Sequence, residues 1–136
     1  MNDYQATMID HLNLAVSDID KSSAFYTAAL GSIGIDELLS IGSNRTESGG
    51  RMVGYGTGKK PFFWILDNKR VGESTHVAFA VDTRAEVEAF YEAALGAGGT
   101  DNGAPGLRPQ YHENYYGAFV LDPDGINVEA VCHNPE

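Results

Sequence analysis

Two histidines and one glutamate are the side chains of this sequence whose types and positions best suit metal chemistry. His11 and His76 each stand second in nearly the same phrase, "DHLNLAV" from Asp10 and "THVAFAV" from Thr75. Glu129 lies in the apolar segment "NVEAVC", where a carboxylate is costly to bury unless it is paired, protonated or bound to a cation. Two neutral imidazoles and one carboxylate form a facial set for Fe(II), Mn(II), Zn(II) or Ni(II) that leaves positions for substrate or oxygen.

The repetition is what favours ligation, because a single strand histidine is usually only a hydrogen-bonded residue. The repeat has an offset of 65 residues: between residues 11–31 and 76–96, ten of the 21 aligned positions are identical. Such an internal repeat indicates a duplicated structural unit. If the two copies are related by a pseudo-twofold axis, their first strands meet across one cavity and bring His11 and His76 together.

Each copy of the repeat predicts the element order β-α-β-β-β. The first strand of each copy alternates apolar and less apolar positions. A helix follows each strand: Asp18 can cap the first helix, and Thr83 with Glu86 can cap the second. The turn "DPDG" separates the last two strands. Short β segments are predicted at residues 38–41, 51–55, 62–66, 116–121 and 126–132, whereas the Gly/Pro-rich middle of the second copy gives no clear strand. The fold class is therefore α+β, with tandem βαβββ modules at about residues 8–67 and 73–133 of one domain spanning 1–136.

A glycine-bounded loop, "GAPGLRPQYHENYYGAF" (103–119), supplies the other candidates. Arg108 could hold a substrate carboxylate or phosphate, His112 could act as acid or base, and Tyr115 or Tyr116 could orient a bound oxygen. We expect His112 and Tyr116, with Glu129, to be catalytic, and Arg108 and Tyr115 to bind substrate. The alternative is a solvated surface loop. Arg45, in a second polar loop at residues 40–51, is a weaker anion candidate.

Three stretches identify the family. The opening "DHLNLAVSDIDKSSAFYTAALG", the second "THVAFAVDTRAEVEAFYEAALG" and the closing "FVLDPDGINVEAV" resemble the vicinal-oxygen-chelate superfamily of glyoxalase I, bleomycin- and fosfomycin-resistance proteins and extradiol dioxygenases. The resemblance implies that the paired modules form a curved half-barrel around a divalent metal. It also implies that His11, His76 and Glu129 are the ligands.

One position departs from the glyoxalase I pattern. The fourth ligand of that enzyme, a glutamate on the last strand of the first module, should fall near Trp64, where "PFFWILD" offers no acid. The set of two histidines and one glutamate looks more like the dioxygenase branch. Phe62 and Trp64 would instead give the cavity an apolar, stacking surface for substrate, or would simply fill the barrel.

Composition limits the partners. The net charge of −10 argues against nucleic acid and anionic membranes, which need a basic surface. Cys132 is the only cysteine, so no intrachain disulfide forms. No signal peptide is recognisable at the start of the sequence, and a cytoplasmic location follows by default. The predicted partner is a small molecule, and the open sheet edges of a half-barrel favour a homodimer.

The sequence leaves three functions open. The first is a metalloenzyme whose divalent ion chelates two adjacent substrate oxygens, with isomerase/lyase or ring-cleaving dioxygenase chemistry. The second is a non-catalytic, ligand-sequestering protein of the bleomycin-resistance type, against which the intact ligand set argues. The third is a scaffold that retains only a vestigial site.

Overall fold

The computed structural model describes residues 9–46, 48–72 and 75–136. Two modules with the order β-α-β-β-β follow one another, and the helices begin and end 65 residues apart, as the repeat predicts. Module 1 contains β1 (Leu12–Ala15), α1 (Ile19–Gly31), β2 (Asp36–Ile41), β3 (Met52–Thr57) and β4 (Lys60–Leu66). Module 2 contains β5 (His76–Val81), α2 (Arg84–Gly96), β6 (Thr100–Leu107), β7 (Tyr116–Leu121) and β8 (Asn127–Cys132).

Each module forms its own four-stranded mixed sheet. The strand orders are β1-β4-β3-β2 and β5-β8-β7-β6. The first strand of each module runs parallel to the last, and the other neighbours are antiparallel. The first and last strands, which carry the three predicted metal ligands, are therefore neighbours within each sheet.

The helix caps are those that the sequence predicts. The Asp18 side chain accepts a hydrogen bond from the Lys21 backbone N–H at 3.2 Å, and the Thr83 hydroxyl accepts one from the Glu86 N–H at 3.1 Å. These bonds satisfy donors that the first turn of a helix leaves unpaired. The last turn, "DPDG", forms as predicted, since the Gly125 N–H bonds to the Asp122 carbonyl at 2.9 Å.

One hydrophobic core joins the two modules. It is built from α1, one face of each sheet and part of α2, and includes Phe25, Ile65, Phe79 and Val128. We call the opposite face of each sheet its open face. By strand alternation and cross-strand register the open faces carry Asn13, Met52, Gly54, Trp64 and Leu66 in module 1, and His76, Ala78, Phe119 and Glu129 in module 2.

Specific contacts fasten module 1 to module 2. The buried Tyr26 hydroxyl donates to Asp122 Oδ2 at 2.7 Å, and the Phe63 and Phe79 rings meet edge-on with centroids 5.4 Å apart. Ser17 bonds through its backbone N–H and its hydroxyl to Asp124. The orientation of the modules is thus set by a shared core and by polar contacts to the 122–125 turn.

The structure adds β6 to the segments that the sequence predicts. This strand lies in the Gly/Pro-rich stretch and pairs with β7 through two register shifts, so it lacks the regular alternation that identifies a strand. The remaining predicted strands are confirmed within a few residues of their ends. In the described part of the chain, no helix is long and apolar enough to cross a membrane.

Candidate functional site

Glu129 is the centre of a polar network on the open face of module 2. It lies mid-strand on β8 between Ala78 of β5 and Phe119 of β7, and only 1% of its surface is exposed. His76 Nε2 lies 2.9 Å from Glu129 Oε1, and the Tyr115 hydroxyl donates to Oε2. Both carboxylate oxygens of this buried acid therefore have a partner, as burial of a charge requires.

Tyr115 acts as a fixed donor to this carboxylate. Burial, followed by the hydrogen bond and the charge of Glu129, raises the pKa of Tyr115 above its ordinary value. The phenol therefore keeps its proton at neutral pH and can hold Oε2 in place. We predicted a substrate-binding role for Tyr115, but its hydroxyl is instead engaged by Glu129.

The predicted acid–base residue, His112, belongs to a second pair at the end of β8. Its Nε2 lies 2.7 Å from His133 Nδ1, and the two rings are stacked with centroids 5.0 Å apart. The Asn114 N–H points at His112 Nδ1 at 3.2 Å, which favours the tautomer with the proton on Nε2. Both nitrogens of His112 are thus engaged, and Tyr115 contacts both imidazole rings edge-on.

Arg108 is held by the strand that precedes it, β6. Its guanidinium donates to the Gly106 and Ala104 carbonyls, each at 2.8 Å, and lies 5.4 Å from the Phe119 ring centroid. These contacts leave fewer donors for the substrate carboxylate or phosphate that we predicted it to bind.

Tyr116 faces the other side of the sheet. Its hydroxyl donates to Glu88 Oε2 at 2.8 Å, and the Arg84 guanidinium lies over its ring, so it packs against α2. The structure does not bring Tyr116 to Glu129, and the catalytic role that we predicted for it has no support from its position.

His11 is separated from the other two predicted ligands. Its Nδ1 lies 2.7 Å from Asp10 Oδ2, and Lys60 Nζ lies 3.1 Å from the other oxygen of Asp10. These hydrogen bonds from His11 and Lys60 hold the pKa of Asp10 below its usual value. Among the described residues, no three His, Cys, Asp or Glu side chains are grouped so that they could hold a metal ion. The predicted meeting of His11 with His76 and Glu129 therefore does not occur within one chain.

The pair His76–Glu129 nevertheless fits a divalent ion. Two neighbouring ligands of an octahedral ion, at right angles and each about 2.1 Å from the metal, are about 3.0 Å apart, which is also the length of an ordinary N–H···O hydrogen bond. His76 Nε2 and Glu129 Oε1 are separated by 2.9 Å, and the hydrogen bond from Tyr115 to Oε2 is the kind of support that ligating carboxylates receive. The pair thus provides two ligands and lacks a third.

Phe62 and Trp64, the predicted substrate surface, lie on β4. Both are half-buried, and Phe62 packs against the shared core. Trp64 covers Gly54, where an added Cβ would lie 2.7 Å from a ring carbon. The aromatic ring therefore forms part of the open face of module 1 at the position that Glu129 occupies in module 2.

Two residues of the network did not emerge from the sequence as candidates: His133 and Phe119. The alternation along β8 puts His133 on the same face as Glu129, so the period of two was the available signal. Phe119 could have been found only through its register opposite Glu129.

Comparison with known proteins identifies the family. A model of the glyoxalase/bleomycin resistance protein/dioxygenase superfamily matches residues 8–130. The chain belongs to this superfamily, which confirms the family resemblance and the α+β fold of repeated βαβββ modules. No curated protein matches the sequence.

Solved structures agree over nearly the whole chain. A glyoxalase/bleomycin resistance protein from Albidiferax ferrireducens T118 is 27% identical, with a TM-score of 0.74, and the match covers 95% of this chain and 100% of that one. A glyoxalase/bleomycin resistance protein/dioxygenase family enzyme from Burkholderia phytofirmans PsJN is 24% identical (TM-score 0.66), with 94% and 100% covered. A glyoxalase I variant from Zea mays is 25% identical (TM-score 0.69), and the match covers 90% of this chain but only 46% of the maize chain.

Proposed function

We propose that this protein is a divalent-metal-dependent enzyme that binds a small substrate through two adjacent oxygens. His76 and Glu129 of one chain and the partner's His11 would hold the ion. The observation that carries the proposal is the 2.9 Å separation of His76 Nε2 and Glu129 Oε1, with the other carboxylate oxygen held by Tyr115. When bound, such an ion supplies Lewis-acid chemistry that polarises substrate oxygens.

Completion of the site by a second copy follows from the position of His11. This residue lies at the start of β1, whereas the other two ligands lie on β5 and β8 of a separate sheet. Strands β1 and β5 are hydrogen-bonded along one edge only in the described sheets, and such edges favour pairing with another chain. A twofold dimer that places module 1 of each chain against module 2 of the other would create two identical sites.

Tyr115 and His112 would have different roles at this site. Tyr115 keeps Glu129 in one orientation and does not give up its own proton, because its pKa is raised. His112 stays a candidate for proton transfer, and any such role would pass through His133, whose Nε2 has no hydrogen-bond partner in the described part of the chain. The reaction subclass is either isomerase/lyase or ring cleavage, and three ligands without an acid at Trp64 favour the latter.

A subunit-mixing experiment tests the site directly. Metal content per chain is measured for the wild type, His11→Ala, Glu129→Gln, and a mixture of the two variants after dissociation and reassociation. Each variant alone should bind little metal. Random mixing should restore about a quarter of the sites, because half the dimers are mixed and each mixed dimer has one complete site. His112→Ala should keep the wild-type content.

Each result has a separate meaning. Recovery on mixing supports the shared site, whereas metal loss without recovery places all three ligands in one chain. A wild type that takes up none of Fe(II), Mn(II), Ni(II) or Zn(II) contradicts the enzyme proposal. Iron preference with oxygen consumption on a catechol would select ring cleavage.

Ligand sequestration without chemistry is the second candidate. The observation that favours it is that Glu129 is almost fully buried and already has a partner on both oxygens. Under this reading the wild type would bind a small molecule with the same affinity before and after treatment with a chelator.

A further inference from the structure

A cavity of about 500 Å³ opens on the open face of module 1. Its floor takes one residue from each strand of the sheet: Asn13 from β1, Ile41 from β2, Met52 from β3 and Leu66 from β4. The last three are direct cross-strand neighbours, since Leu66 pairs with Met52 and Met52 with Ile41. The floor is therefore a continuous apolar row with one amide at its side. The volume of the cavity suits a small organic ligand.

The rim of the cavity carries an arginine whose guanidinium has no counter-ion among the described residues. Arg45, Thr46 and Ser48 of the β2–β3 loop line this side. The Arg45 guanidinium is exposed and makes no hydrogen bond or ion pair with any described residue, and only the backbone N–H of Arg45 is bonded, to the Gly42 carbonyl at 3.0 Å. By contrast, Arg51 binds Asp20 and Asp67, and Arg84 lies near Glu136. An arginine left unpaired beside an apolar floor, in a chain with 19 acidic and 9 basic residues, is available to an anionic ligand.

The loop that carries Arg45 is braced against the sheet. The Asn68 side-chain amide donates to the Ser48 carbonyl at 3.0 Å, and the Arg51 N–H donates to Asp67 Oδ1 at 2.7 Å. At Gly50 the backbone runs so close to Asp67 that an added Cβ would lie 2.2 Å from its carbonyl oxygen. The Thr46 hydroxyl, one residue after Arg45, donates to the Gly50 carbonyl at 2.5 Å and so ties this side of the loop to the fastened part, which reduces the ordering that ligand binding requires.

We propose that this cavity binds the apolar body of a small monocarboxylate and that Arg45 holds its carboxylate. The guanidinium fork fits a carboxylate or a phosphate, but a single positive charge balances a carboxylate monoanion fully and a phosphate dianion only in part. Asn13 lies two residues beyond His11 at the start of β1, so the cavity adjoins a predicted metal ligand. The inference therefore rests on the proposed function in one respect: it names the substrate class of that site.

Calorimetric titration of metal-free protein in the presence of a chelator tests the proposal. The probes are 4-phenylbutyrate and its neutral amide. Wild type should bind the carboxylate at least about tenfold more tightly than the amide, the effect of one charge-assisted contact. Arg45→Gln should remove this preference and keep the weak binding of the amide. Arg70→Gln is the matched control, because Arg70 is also exposed and without a described partner but does not line the cavity.

The outcomes separate this inference from the metal proposal. Loss of the preference in Arg45→Gln but not in Arg70→Gln supports it, even if the protein binds no metal. An unchanged preference in Arg45→Gln, an equal loss in both variants, or no binding by wild type overturns it. Tighter binding of 4-phenylbutylphosphonate than of the carboxylate would also contradict the monocarboxylate class.

Discussion

The two modules share one backbone plan, but their open faces differ in chemistry. Each sheet has a row of three residues that are cross-strand neighbours, and each residue of the module 1 row is equivalent to the one 65 residues later in module 2. The side chains of the two rows differ. The row is Asn13, Trp64 and Gly54 in module 1 and Ala78, Glu129 and Phe119 in module 2. The module 1 sheet therefore carries an aromatic ring packed on a glycine, whereas the module 2 sheet carries a buried acid beside a phenylalanine.

The loops beside the two rows also differ in the side chains that they bring to the open face. In module 2, Tyr115 reaches down to Glu129, and His112 contacts His133. In module 1 the residue equivalent to Tyr115 is Gly50, where an added Cβ would meet the Asp67 carbonyl oxygen, and a cavity lies beside Arg45. On the two proposals above, module 2 supplies two of the metal ligands, and module 1 supplies the third ligand and the substrate cavity. Equivalent substitutions in the two modules should therefore have unequal effects.

The largest difference is expected between Tyr26→Phe and Tyr91→Phe, which alter equivalent helix positions. Tyr26 donates to Asp122 in the buried contact between modules, whereas the hydroxyl of Tyr91 meets Asp101 at the surface. Removal of a buried hydrogen bond to a carboxylate should lower the free energy of unfolding by about 2 kcal/mol. Tyr91→Phe should change it by less than about 0.5 kcal/mol. Urea denaturation checks both, and equal effects would refute the asymmetry.

Tyr115→Phe should weaken metal binding about tenfold or more, because Glu129 loses the donor that fixes Oε2. The adjacent Tyr116→Phe is the control, since that hydroxyl lies on the α2 side and bonds to Glu88. Competition with a metal indicator dye measures both affinities. A larger effect of Tyr116→Phe on metal affinity would contradict the role proposed for Tyr115.

The repeat made most of the fold predictable, because alternation and helical spacing recur in both copies. It did not reveal β6, whose segment "TDNGAPGL" has neither pattern and is held by irregular pairing with β7. Local sequence cannot identify a strand that only its neighbour specifies.

The site was only partly predictable. The placement of Glu129 and His76 on one face of adjacent strands followed from alternation. The choice between Tyr115 and Tyr116 was also accessible in principle, because Tyr116 has the same parity as Ala118 and Val120, which are fully buried. The separation of His11 from the other two ligands was not accessible, since it depends on how the modules pack rather than on any local period.

The packing of Trp64 on Gly54 offers a smaller test of the same contrast. Gly54→Ala would place a Cβ 2.7 Å from the ring, so the half-buried indole must tilt away, at a cost of about 1 kcal/mol. In a Trp64→Ala background the same substitution should cost nothing. Gly31→Ala, at a helical position with no atom within 4 Å of the added Cβ, serves as the control. A cost that persists without Trp64 would show that Gly54 is required for another reason.

The smallest expected effect is the pH dependence of two carboxylates with opposite shifts. Burial raises the pKa of Asp122 in the folded state, so its stabilising contribution is present below about pH 4 and is lost as the pH rises through the folded pKa. Asp122→Asn should therefore lose less stability than wild type as the pH rises above about 4. Hydrogen bonds from His11 and Lys60 lower the pKa of Asp10, so its contribution is present above about pH 4 and is lost as the pH falls. Asp10→Asn should accordingly lose less stability than wild type on acidification. Urea midpoints for wild type and the two variants are measured on both sides of about pH 4. The assignment is rejected if both variants differ from wild type only on the same side of that pH.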